Sequence, residues 1–224
     1  MTMNKKTIAS IIAMFLVTTS AHAANGVYIE QIGNNNAITI TQIGNNNKVG
    51  SNATDSKIDG STNIMTISQT GNANQIDYNV IGSNNTMTKT ITGNNNTVTF
   101  TCGDGTTACT NVTSEMKLAG NNNTVTSTIK GNLIDNNIDV TGGTNTITQT
   151  ILTSNSTSKM KIIGDFNTVT STMTGASGGA GHYLDLLITG STNAHTINQT
   201  GSVDTTVRIT TTGSSNTVLV NTGS

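Results

Sequence analysis

A chain of 224 residues with 9% charged and 3% aromatic side chains, no proline and no tryptophan cannot build a conventional core of leucine, phenylalanine and tryptophan. Its 10 basic and 11 acidic residues give a formal charge of −1 and form no basic patch, which speaks against nucleic acid as a partner. Disordered chains of similar polarity favour proline and charge; low charge without proline is instead the composition of strands that stack on one another.

In chain order, residues 1–23 read as a secretory signal peptide. Lys5 and Lys6 precede an apolar run from Ile8 to Val17, and Ala21-His22-Ala23 offers a cleavage site. The run is shorter than the ~20 residues a membrane-spanning helix needs. Residues 24–224 are then a single exported repeat domain.

That domain opens with "QIGNNNAITITQIGNNN", residues 31–47, in which one hexapeptide recurs after an odd interval of eleven. A strand alternates faces with period two, so an odd repeat must switch parity once per copy. The switch falls at the Gly-Asn-Asn steps, where Gly and Asn tolerate positive φ.

Longer repeats follow. The pairs Gly44/Asn47, Gly71/Asn74, Gly93/Asn96 and Gly120/Asn123 share a Gly-x-x-Asn pattern, as do Gly142/Asn145, Gly164/Asn167, Gly190/Asn193 and Gly213/Asn216. Weaker half-repeats sit at Gly33, Gly60, Gly82, Gly131 and Gly201, with Thr153 at an expected glycine. After each Asn, apolar or amide residues keep one parity (Val98, Phe100, Cys102) and threonines the other (Thr97, Thr99, Thr101). This is the pattern of half-buried strands.

The expected fold is all-β: a two-sided β-solenoid of stacked β-arches, about 22 residues per coil and roughly eight coils, near 40 Å long at ~4.8 Å per coil. The eight Asn residues form a hydrogen-bonding column on one edge. Extra residues, around Ser51–Asp59, Gly103–Thr110 and Ala176–His182, are expected at the opposite edge. Cys102 and Cys109 are expected to bond across "CGDGTTAC", a small ring worth roughly 2–3 kcal/mol. Two thiols without a neighbouring histidine make a poor metal site.

Catalytic readings fare badly. The acids are scattered singly, His182 and His195 stand in no catalytic motif, and "GASGGAG" (175–181) lacks the Lys-Ser/Thr of a phosphate loop. No enzyme activity, cofactor, metal or small-molecule substrate is expected. The last strand, from Asn216, carries neither charge nor proline and places Leu219 outward, while Val27–Gln31 of the first coil carries only Glu30. Natural folds usually blunt such edges. Head-to-tail stacking into an open filament is the expected consequence.

The pattern Q-x-G-x-x-N-x-apolar behind a signal peptide resembles the curlin repeats of curli fibre subunits. "QIGNNNAITITQIGNNNKV" (31–49) is the nearest passage and "SQTGNANQI" (68–76) is similar. Gln31, Gln42, Gln69 and Gln199 stand where curlins repeat Gln, whereas Val80, Ile91, Ile129, Ile151 and Met173 depart from it. The resemblance implies a secreted functional-amyloid subunit on the surface of a Gram-negative bacterium, serving adhesion and biofilm matrix. It implies passage through an outer-membrane secretion pore, a nucleator subunit as partner, and polymerisation with copies of itself. The alternative is a monomeric secreted solenoid whose threonine array binds ice or serves as a surface adhesin.

Overall fold

The computed structural model describes residues 13–15, 24–51, 53, 55–104, 106–152, 155–175, 182–201 and 206–222. Most of the expected leader, Thr153 and the insertion at 176–181 lie outside the described residues. The strands, in chain order, begin with β1 (Ala13–Phe15), β2 (Gly26–Val27), β3 (Ile29–Ile32), β4 (Ala37–Ile43), β5 (Lys48–Val49) and β6 (Ser56–Asp59). They continue as β7 (Ile64–Thr70), β8 (Gln75–Ser83), β9 (Thr86–Thr92), β10 (Thr97–Thr101), β11 (Cys109–Thr110) and β12 (Thr113–Ser114). The last are β13 (Thr124–Ser127), β14 (Thr146–Gln149), β15 (Thr168–Gly175), β16 (Ala194–Gly201) and β17 (Thr217–Thr222).

All pairings are parallel and fall into two sheets. One runs β1-β4-β7-β9-β12; the other runs β17-β16-β15-β14-β13-β10-β8-β5-β2, with β3, β6 and β11 alongside. The second sheet gives the clearest register: Gly26↔Lys48↔Gln75↔Thr97↔Thr124↔Thr146↔Thr168↔Ala194↔Thr217. Its steps of 22, 27, 22, 27, 22, 22, 26 and 23 residues reproduce the spacing of the Gly-x-x-Asn copies from Asn25 onward. The chain is a β-solenoid of about eight turns of about 23 residues, with no helix among the described residues.

Alternation decides what each sheet buries. In β4, Ile38, Ile40 and Gln42 point inward while Ala37, Thr39 and Ile43 face solvent. In the second sheet Val98, Phe100 and Cys102 point inward against the corresponding row from the first. The core is thus a thin apolar slab between the two sheets, cut into layers by the coils.

The reversals between sheets share one conformation. The third residue of each arc is left-handed whatever its side chain: Asn46 has φ 56°, Thr62 61°, Ala73 55°, Leu133 58° and Phe166 55°. Glycine at the first position is required by contact. A Cβ on Gly93 (φ 122°) would lie 1.8 Å from the Gly120 carbonyl oxygen, and one on Gly44 would lie 2.0 Å from that of Gly71. Stacked arcs approach too closely for a side chain at these glycines, whereas Cys109 takes the corresponding place in the arc stacked on Gly82.

The two insertions within the described residues are not at an edge arc, where the sequence pattern had placed them. Val49 pairs with Ile76 and Lys57 with Asn79, so residues 50–56 stand against Asp77 and Tyr78, in mid-strand on the second sheet. Likewise Thr101 pairs with Asn79 and Cys109 with Gly82, so the Cys loop interrupts the same sheet just before its arc. An outward bulge of this sheet costs no arc geometry, whereas an insertion in an arc would break the stacked glycine contacts.

Candidate functional site

The most regular constellation is the amide ladder. Asn47, Asn74, Asn96, Asn123, Asn145, Asn167 and Asn193 are buried in one column, with Asn216 half-buried at its end. The ladder has a direction. Asn123 donates its backbone N–H (2.9 Å) and its Nδ2 (3.1 Å) to Oδ1 of Asn96, and donates Nδ2 forward to the Gly142 carbonyl (2.8 Å). Asn145 repeats this toward Asn123 and Gly164. Each buried amide is therefore satisfied by its two neighbours, which is the condition for keeping it in a desolvated arc.

Two parts of this system escaped the sequence reading. Asn25 is the first rung: its Oδ1 accepts the Asn47 N–H (2.9 Å) and its Nδ2 donates to the Gly44 carbonyl (3.0 Å). The signal was present as a 22-residue spacing from Asn47, but no glycine precedes it at the expected place. The opposite arc carries a shorter ladder, Asn36, Asn63 and Asn85, in which Asn63 Nδ2 donates to Asn36 Oδ1 (3.1 Å) and Asn85 Nδ2 to Asn63 Oδ1 (2.9 Å). It ends where Val112 supplies only its N–H to Asn85 Oδ1 (2.9 Å).

The four curlin-like glutamine positions fall in two columns. Gln42 donates Nε2 to Gln69 Oε1 (2.7 Å), and Gln69 donates to the Lys48 and Asn74 carbonyls (3.1 and 3.2 Å). Gln31 pairs with Ile58, and Gln199 with Met173, on the other sheet; the positions between them are apolar. The structure brings together Gln42 and Gln69 but not Gln31 and Gln199. Cys102 and Cys109 are bonded to each other with Cα atoms 5.5 Å apart. Inside their loop Asp104 pairs with Lys130 Nζ (2.9 Å) and accepts the Thr107 and Thr106 N–H groups, which holds its carboxyl well below the usual range.

A polar chain runs through the apolar slab. Lys89, fully buried, places Nζ 4.1 Å from the Phe100 ring centroid and donates to Ser114 Oγ (2.8 Å) and the Glu115 carbonyl (3.3 Å). Ser114 Oγ donates to Asn136 Oδ1 (3.1 Å), Asn136 Nδ2 to Gln149 Oε1 (2.6 Å), and Gln149 Nε2 to Ser158 Oγ (2.7 Å). Burial lowers the Lys89 pKa from 10.5 to about 7, with Glu115 opposing the fall. The lysine was legible in "MTKTI", where it shares the inward parity of Met87 and Ile91, but it carries no motif.

Elsewhere chemistry is sparse. Tyr183 OH donates to Asp185 Oδ2 (3.2 Å), which also faces Arg208 Nε at 3.7 Å; His182 and His195 are buried, and burial lowers the His195 pKa. A cleft of about 480 Å³ on the outer face of the second sheet is bordered by Glu30, Asp55, Lys57 and Asp77 beside the mid-strand insertion. Outward rows of threonine stack in register, Thr97↔Thr124↔Thr146↔Thr168 and Thr99↔Thr126↔Thr148↔Thr170.

No family model, no curated protein and no solved structure matches the chain. What can be said of its role rests on the solenoid, its ladders and its edges.

Proposed function

We propose that the chain is a structural subunit of an extracellular, curli-like functional-amyloid fibre, not an enzyme. One observation carries this reading. β17 pairs with β16 on one side and with no described residue on the other, and its inward Val218 and Val220 are only half-buried. Among the described residues its outer side has no partner strand, in a parallel sheet whose interior steps stack copies of the same motif. Such an edge without charge or proline is a template for another strand, and a second solenoid offers one at the same spacing.

On this reading the subunit is exported through an outer-membrane pore of a Gram-negative bacterium, starts on a nucleator subunit and grows as a cell-surface homopolymer for adhesion and biofilm matrix. The curlin-like passages, Gln31–Val49 and Ser68–Ile76, support the assignment to that class. The test is electron microscopy and fibre diffraction of purified mature protein at neutral pH. Filaments with reflections near ~4.8 and ~10 Å are expected; persistently monomeric protein would sink the proposal.

The threonine rows favour a second reading, a monomeric secreted solenoid that binds ice or acts as an adhesin. Threonine is also simply a good outward strand residue. Thermal hysteresis by a stable monomer would support the ice-binding form of this alternative.

A further inference from the structure

We infer that two copies join at a single register, with Asn25 of the incoming chain seated on Asn216, so that the amide ladder continues unbroken and with one polarity through the junction. The inference rests on the fibre reading and adds which rungs meet and which way round.

The polarity is visible at every interior step. The later Asn donates its N–H and Nδ2 to the Oδ1 of the earlier one, as Asn216 does to Asn193 (2.9 Å each). Among the described residues, nothing donates to Asn216 Oδ1, and the backbone N–H of Asn25 donates to nothing. One end therefore presents an acceptor and the other a donor. Along this column two Oδ1 acceptors cannot satisfy each other, nor can two backbone N–H donors.

The flanking residues have matching spacing. Asn216, Val218 and Val220 share one parity, and so do Asn25, Val27 and Ile29; all six are half-buried. Placing Asn25 over Asn216 sets Val27 on Val218 and Ile29 on Val220. Interior coils show the accompanying backbone bond: Gly26 N–H donates to the Asn47 carbonyl (2.9 Å), and Ala194 N–H to that of Asn216 (2.8 Å). At the junction Thr217 N–H would donate to the Asn25 carbonyl of the second copy. Leu219, 75% exposed on the outward face, would lie beside Tyr28 of that copy.

β1 bears on the same end. Ala13–Phe15 of the expected leader pairs with β4 at Ile38–Ile40, on the first sheet, while the outer sides of β2 and β3 carry no described strand. The junction inferred here runs along the second sheet.

The test is a pair of single variants, Leu219→Cys and Tyr28→Cys, mixed in equal amounts and grown on wild-type seeds. Adjacent parallel strands hold Cα atoms at about 4.8 Å, within the 4.4–6.8 Å span of a disulfide. After mild oxidation, heterodimers linking the two variants should exceed by about tenfold those from Leu219→Cys with Lys48→Cys, a position two rungs away. Filaments with no such link, or with Leu219→Cys linked to itself, would overturn the register while leaving the fibre reading intact. Wild-type protein that forms no filament would remove the fibre reading itself, and this inference with it. If either variant fails to join filaments, hydrogen exchange on wild type decides. Amides of residues 25–32 and 217–222 should exchange at least a hundredfold more slowly in filaments than in monomers, and unchanged exchange would overturn the register.

Discussion

Replacing Lys89 with Met should turn a solenoid whose stability climbs with pH into one that is level across the neutral and alkaline range. Lys89 lies on the inward row of β9 beside Ile67, with its amine over Phe100 and against Ser114. Its folded pKa of about 7 lies below the 10.5 of the free side chain. Between those values the unfolded chain holds a proton that the folded chain has released, so stability rises with pH through the window. Below about 7 both states are protonated and the cost is constant. At about 1.4 kcal/mol per pH unit the interval is worth about 5 kcal/mol. Met fills nearly the same volume without charge, and Ser114 keeps Asn136 as partner. The assay is urea unfolding of monomer, followed by far-UV circular dichroism at pH 6, 7.5, 9 and 10. Tyr78, pushed well above the usual phenol range by burial, opposes the rise only near and above pH 10, where the unfolded phenol ionises, and His195, lowered by burial, titrates on the acid side of the window. Wild type should gain about 4 kcal/mol from pH 6 to 10, and Lys89→Met should be nearly level from pH 7.5 to 9 and more stable at pH 6. A variant with the wild-type slope, or one less stable at every pH, would refute the reasoning.

Asn123→Leu strips its two neighbours of partners in a desolvated arc and should cost at least 2–3 kcal/mol, against under ~0.5 for the outward Thr126→Ser. Equal unfolding midpoints for the two would mean the inner and outer faces are assigned wrongly. Phe166→Asn replaces an exposed side chain held at φ 55° with one that tolerates that conformation, and should raise stability by about 0.5–1 kcal/mol in thermal melts. Gly93→Ala places a methyl 1.8 Å from the Gly120 carbonyl oxygen and should prevent closure of that arc, read as lost circular-dichroism signal and failed assembly.

The architecture was legible because the arcs need Gly at one position and Asn at another, and both leave a periodic trace in the sequence. The spacing of Gly44, Gly71 and Gly93 is the spacing of the rungs. Where the insertions lie was not legible, because only register distinguishes a mid-strand bulge at 50–56 from a longer arc. The short ladder at Asn36, Asn63 and Asn85 was obscured by its divergence to Val112 and Ile134, which an apolar arc accommodates equally well. Asn25 was missed for want of a glycine, and Lys89 because alternation identifies an inward position but says nothing about which polar partners meet there.

The separation along the chain of bonded residues has a consequence for how the molecule can be made. Asn74 reaches back 27 residues to Asn47, Asn96 reaches back 22 to Asn74, and no later rung reaches further than 27. The closure entropy of each coil is therefore nearly constant, and no bond of the ladder waits for the distant end of the chain. A polypeptide delivered from its first residue could wind each turn as the next 22 to 27 residues arrive, using the turn before it as a template. Shortening the protein by whole turns would leave the remainder wound, with a fresh acceptor asparagine at its tip. Length is then a quantity that duplication or loss of single turns can adjust without redesigning the rest.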